Sequence, residues 1–187
     1  APDLADVELN KFPNFLKGTP QLVPLNDIVE PELDHLVRSR LDIYAKDGKY
    51  YGIDFHVGAS VIYYNKEILD QAGVNPDSIR TWDDFEAAGR KVLEATGKPM
   101  ATVELSDMWS IWPQVAQASG GDDLQTADGR PNLTGDVVVR PLQFQKRLLD
   151  QGIAVTAPGG NHHAEEYYGF MNDGGAASVW MPMWYMG

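Results

Sequence analysis

The chain has 187 residues, enough for one sizeable domain or two small ones. Its net charge of −12 argues against nucleic-acid binding, which needs a basic patch, and reads as a well-solvated acidic surface. It has no cysteine, which excludes disulfides, thiol catalysis and zinc–thiolate sites, and no apolar run nears the ~20 residues of a membrane helix. No signal peptide is seen and the first residue is Ala, not Met, so a processing or cloning event is expected before it.

Residues 4–7 make a short, mostly apolar strand candidate. Residues 11–17 read as a short helix stopped by Gly18, and 22–25 as extended, because Pro24 biases Val23 away from helix. A helix is expected over 31–43, where Pro31 suits a first turn and Leu33, Leu36, Val37 and Leu41 recur at helical spacing. Asp47-Gly48 marks a hairpin turn. After a crossing at 55–59, Ser60-Val61-Ile62-Tyr63-Tyr64 is a β-branched and aromatic strand that runs into a helix at 67–72.

Residues 75–78 (Asn-Pro-Asp-Ser) are a turn. Thr81 then caps a helix through Thr96, with Asp83 and Asp84 at its positive end and Phe85, Ala88, Val92 and Leu93 as its apolar stripe. Further on come a strand at 100–103, a helix at 106–119, a polar loop at 126–131 and a helix at 140–151 with Pro141 near its start. A Gly-Pro connector at 157–160, a helix at 164–171 and a strand at 176–180 complete the order. Strands and helices alternate, which argues an α/β layered fold.

Several segments in this order resemble one family. They are Pro2-Asp3-Leu4-Ala5-Asp6, the 22–29 stretch, the Asp-Gly-Lys-Tyr-Tyr-Gly hairpin, Tyr64-Asn65-Lys66, Gly73-Val74-Asn75-Pro76, Thr81-Trp82-Asp83-Asp84-Phe85, Trp112-Pro113 with Gly120-Gly121, and 170–177. Together they resemble the extracellular solute-binding proteins of sugar ABC transporters, the family that includes maltose-binding protein. The resemblance implies a periplasmic-binding-protein-like fold of type II, with two lobes, a hinge and an incomplete first lobe. It divides the chain into a remnant of lobe 1 (1–56), a hinge crossing (57–59) and most of lobe 2 (60–187). A remnant of about 55 residues is too short for an ordinary core, so it is expected to be completed by further sequence, by chain swapping, or not at all. Asp54 stands where the family carries Pro after Tyr-Gly-Ile, which leaves the approach to the hinge less rigid.

Sugar recognition needs flat aromatic faces for the apolar side of the ring and polar groups for the hydroxyls. The resemblance puts Trp184 at the stacking position, against the alternative of a core tryptophan. Asp107 and Trp109 fall in the first turn of the 106–119 helix, where the acid would serve equally as a helix-dipole partner. Glu8, Asn10 and Lys11 align with a ligand-contacting loop, and His56 and Gly58 lie in the crossing. Lobe closure would enclose the sugar.

Other readings compete. His162-His163-Ala164-Glu165-Glu166 invites a metal site, but the spacing is wrong for two ligands on one helix face, and a solvated N-terminal turn fits better. A glycoside hydrolase would need a paired carboxylate that nothing singles out. A glycerol phosphodiester would want arginine near the aligned loops, and a polyamine an acidic aromatic box. The resulting expectation is a non-enzymatic binding protein without cofactor or metal. It would bind a sugar or oligosaccharide, deliver it to the permease and ATPase of an importer, and work in the periplasm or membrane-anchored outside the cell.

Overall fold

The computed structural model describes residues 2–55, 58–106, 110–119, 124, 126 and 130–186, without the side chains of Ser119 and Met186. Its contacts divide the chain into two units, Ala1–Val57 and Gly58–Gly187.

In the first unit short helical turns replace long elements. A 3₁₀ turn spans Phe12–Leu16 with a proline at its start. Helix α1 (Asn26–Val29) runs into a 3₁₀ turn at Glu30–His35, and α2 (Arg38–Leu41) into another at Asp42–Tyr44. The single helix expected over 31–43 is therefore broken, with Leu36 extended at φ −111°, ψ 148°. Its stripe finds no continuous partner: Val37 is exposed, while Leu41 and Tyr44 turn inward. The strand expected at 4–7 does not form either; Leu4 is 91% exposed and the segment joins no ladder among the described residues.

The hairpin does form. Strands β1 (Ala45–Lys46) and β2 (Lys49–Tyr50) pair antiparallel around Asp47 (φ 49°) and Gly48 (φ 74°). Two successive positive φ values define the type I′ turn that matches strand twist. Asn26 fastens α1 to this hairpin, giving its amide to the Gly48 carbonyl and accepting the Tyr50 N–H. The buried apolar residues here are Phe12, Val29, Leu41 and Tyr44, with Phe12 edge-on to Tyr44 at 4.7 Å. Arg40 donates to Asp54 at 2.7 Å, so the residue that replaces the family's proline is held by an ion pair.

The second unit is built as a layered α/β fold. Strand β3 (Ser60–Tyr64) ends at Asn65, whose side chain accepts the Ile68 N–H and opens α3 (Lys66–Gln71). Helix α4 (Trp82–Thr96) starts in a reciprocal capping box between Thr81 and Asp84 and stops at Gly97, φ 70°. Strand β4 (Ala101–Val103) follows. Helix α5 (Trp112–Ser119) begins later than the expected 106, because Pro113 fits the first turn and Ser106 is a bend. Helix α6 (Asp136–Asp150) begins earlier than expected and contains Pro141, which cannot donate to the Val137 carbonyl but is buried against the core.

Strand β5 (Ala154–Thr156), helix α7 (Glu165–Asn172), strand β6 (Ser178–Pro182) and a 3₁₀ turn at Met183–Met186 complete the unit. Strand β6 starts two residues after the expected 176, and β5 was not anticipated.

Strand β3 runs antiparallel to β6, with Ser60 opposite Pro182 and Tyr64 opposite Ser178. Strand β4 runs parallel to β5. The pairs are joined where Ala177 N–H donates to the Pro99 carbonyl and Ser178 Oγ to the Met100 carbonyl. Alternate residues of β6 then feed opposite faces. Trp180 packs with Phe85 of α4 and Phe144 of α6, while Val179 and Met181 pack with Tyr167 of α7. Gly89 allows α4 close to the sheet, since a Cβ there would lie 2.4 Å from Ile153 Cγ2.

Candidate functional site

Beyond β6 the chain enters the Met183–Met186 turn and presents Trp184, 44% exposed. Its indole lies parallel to the His163 ring, with centroids 5.7 Å apart and an interplanar angle of 10°. Tyr185 meets His163 edge-on at 5.5 Å, and Tyr168 lies 6.1 Å from Tyr185. The Tyr168 hydroxyl is 3.4 Å from His163 Nδ1. An exposed aromatic cluster thus gathers residues from the start of α7, the loop before it, and the turn after β6.

The loop is shaped by glycine. Gly159 and Gly160 have φ of 70° and 75°, and a Cβ on Gly159 would lie 2.6 Å from that of Ala164. Asn161 closes an Asx turn on the His163 N–H and donates to Ser106 Oγ at 3.0 Å. Ser106 therefore anchors the β4–α5 connection to this loop, immediately before Asp107 in the chain.

Beneath the exposed rings lies a buried polar layer. His162 is 1% exposed, Thr102 Oγ1 is 2.9 Å from its Nε2, and the Tyr167 hydroxyl is 2.8 Å from the same Thr102 oxygen. Glu104 Oε1 accepts the His162 backbone N–H at 2.8 Å, and the Glu104 N–H donates to Ser110 Oγ. His162 Nδ1 is 3.6 Å from Glu104 Oε1, too long for a hydrogen bond. Burial, with His163 adding to it, pulls the imidazole of His162 down to about 4, so the ring is neutral near pH 7 and the contact is not an ion pair. Burial also raises the Tyr167 and Tyr185 hydroxyls well above the ordinary phenol value, keeping both protonated. Tyr185 donates to the His162 carbonyl and so ties the exposed rings to this layer.

The structure separates the His162–His163 pair that the sequence assigned to one solvated turn: His162 is core and His163 is surface. Among the described residues no group of three or more His, Asp or Glu is placed to hold a metal ion. Glu8, Asn10 and Lys11 are exposed and share one turn in the first unit, where Glu8 accepts the Asn10 N–H through its carboxylate and the Lys11 N–H through its carbonyl. Gly58 is exposed at the start of the second unit. His56, Asp107 and Trp109 lie outside the described residues. His163 was missed as a neighbour of Trp184, and Tyr168 as a neighbour of His163 and Tyr185, because the ring cluster joins residues distant in sequence and nothing local encodes it.

With this geometry in hand, comparison with known proteins places the chain. The profile of the bacterial extracellular solute-binding protein family matches residues 1–187, and the chain belongs to that family. It is 53% identical over 188 residues to the arabinooligosaccharide-binding protein of Halalkalibacterium halodurans, covering all of this chain and 42% of that protein. It is 49% identical over 187 residues to the arabinooligosaccharide-binding protein of Bacillus subtilis, covering all of this chain and 43% of that one.

Among solved structures it is similar to the ABC-transporter-associated binding protein of B. animalis subsp. lactis Bl-04 in complex with β-1,6-galactobiose. That match has 28% identity, a TM-score of 0.73, and covers 98% of this chain and 45% of the other. The fold is the type II periplasmic-binding-protein fold, with the first lobe incomplete in this chain. The chain spans less than half the length of the curated relatives it matches.

Proposed function

We propose that this chain is part of a non-enzymatic sugar receptor that takes up an oligosaccharide and hands it to an ABC importer outside the cytoplasmic membrane. The observation that carries this reading is Trp184: a flat apolar face, partly exposed, held parallel against a second ring on a rigid turn. The names of two relatives that match over the whole chain at 53% and 49% identity point to arabinose oligomers as the first ligands to test.

In this reading Trp184 stacks on the sugar, with Trp109 as a second ring. Asp107, Glu8, Asn10, Lys11 and His56 bond its hydroxyls, and Gly58 lies in the crossing at 57–59, which acts as the hinge between lobe 1 (1–56) and lobe 2 (60–187). The permease and ATPase subunits of the importer are the implied partners, and no nucleic acid is involved. Within the described residues no helix is long and apolar enough to cross a membrane.

The test is calorimetric titration of the full-length protein with arabinotriose. Trp184→Ala is expected to weaken binding at least tenfold, about 1.4 kcal/mol. Unchanged affinity would remove Trp184 from the site, and release of arabinose from the trisaccharide by pure protein would replace a receptor with a hydrolase.

A further inference from the structure

We propose that His163 is a further ligand residue: it fixes the plane of Trp184 and offers its Nε2–H to a hydroxyl of the sugar stacked there. The inference rests on the reading of Trp184 as the stacking residue.

A histidine at a solvated helix start would have no preferred plane. His163 is instead restrained through its backbone, its Nδ1 and its ring. Its backbone N–H is bound by Asn161 Oδ1 at 2.7 Å, its Nδ1 faces the Tyr168 hydroxyl, and Tyr185 abuts the ring edge-on. Tyr185 is itself anchored through its hydroxyl to the carbonyl of buried His162. The parallel indole of Trp184 completes the set. A side chain that is exposed yet held this way has its orientation fixed before any ligand arrives, which lowers the entropy cost of binding.

The chemistry of the free nitrogen follows from the fixed one. A Tyr168 phenol that donates to Nδ1 leaves Nε2 as the ring nitrogen that carries the N–H. His163 Nε2 bonds to no group among the described residues. It is a donor beside an aromatic face, and a sugar ring requires that combination: C–H groups on the face and hydroxyl oxygens at the rim. The assignment makes His163 a specificity residue, because a saccharide without an acceptor hydroxyl at that rim position loses this bond.

The experiment combines two readouts on the full-length protein. In 5-fluorotryptophan-labelled protein, the Trp184 fluorine resonance is assigned with Trp184→Phe against the other tryptophans. His163→Ala is expected to move that resonance in the sugar-free state and leave the others in place. Calorimetry with arabinotriose should then show affinity at least tenfold weaker for His163→Ala. For His163→Phe, which restores the flat ring but not the donor, a loss of about threefold is expected.

His163→Ala within twofold of a wild type that binds overturns this inference alone. Wild-type affinity in His163→Phe removes the donor and overturns the assignment as stated. A wild type silent toward arabinotriose, lactose and β-1,6-galactobiose overturns the sugar-receptor reading itself, and the ligand role of His163 with it.

Discussion

The two units of this chain are held together by different physics. In Gly58–Gly187 the sheet is packed on both faces, and Trp82, Phe85, Phe144 and Trp180 meet ring to ring at 4.9–6.5 Å. In Ala1–Val57 the buried apolar set is small, and side-chain bonds such as Asn26 to the hairpin and Arg40 to Asp54 carry much of the order. Large apolar side chains remain outside: Val23 is 77% and Ile28 59% exposed. Burial of apolar area holds the second unit as one cooperative core, whereas the first relies on a few discrete bonds that tie its turns together over a small core.

The sharpest way to break this comparison is to delete one phenylalanine from each unit. Phe85→Ala, at 0% exposure, is expected to cost about 4 kcal/mol and to lower the global unfolding midpoint in urea. Phe12→Ala, 6% exposed, is expected to leave that midpoint in place and to speed hydrogen exchange only within residues 2–55, because its cost is capped by the local opening energy. Equal shifts of the midpoint would show a single cooperative unit.

Acid gives the next largest effect, confined to the second unit. His162 is held neutral in the folded state down to about 4, whereas the unfolded chain takes up the proton near 6.5. Between those values only the unfolded state binds the proton. Stability is therefore full above pH 6.5, falls as the pH drops toward 4, and is lower by about 3 kcal/mol below that. Urea titrations at pH 7 and pH 4.5 should show a loss in the wild type that is much reduced in His162→Gln. At still lower pH, Glu86 adds to the loss. Its carboxyl is held below the ordinary value mainly by the Arg147 bond that links α6 to α4, and protonation removes that bond's contribution.

A glycine in each unit sharpens the contrast on a smaller scale. Gly89→Ala is expected to cost about 2 kcal/mol by forcing α4 off Ile153, a packing effect read as a lowered urea midpoint. Gly48→Ala meets no atom within 4 Å, so its expected cost of about 1 kcal/mol is purely the strain of φ 74°. It should appear as faster exchange at the Lys49 and Tyr50 amides.

The same division governs what could be read from the sequence. Signals confined to a few residues were legible: the Asp47-Gly48 turn, the strand at 60–64 running into a helix, and the Thr81-capped helix through Thr96 with its stripe. What depended on distant partners was not. The 31–43 stripe had helical spacing, yet the chain breaks at Leu36 because no surface receives the whole stripe. Strand β5 is too short to announce itself and exists because β4 lies beside it. At the candidate site, Trp184 was proposed through family resemblance, while its parallel contact with His163 is tertiary and no motif spells it out.

One bonded path in the second unit has a mechanical consequence. Ala59 accepts the Met183 N–H at 3.1 Å, Ser60 pairs with Pro182, and the Tyr63 hydroxyl bonds the Pro182 and Met183 carbonyls. The backbone from Ala59 onward and the turn bearing Trp184 are thus bonded side by side. A displacement of Ala59 is passed along these bonds to the turn, so the Trp184 ring follows the strand to which its turn is bonded.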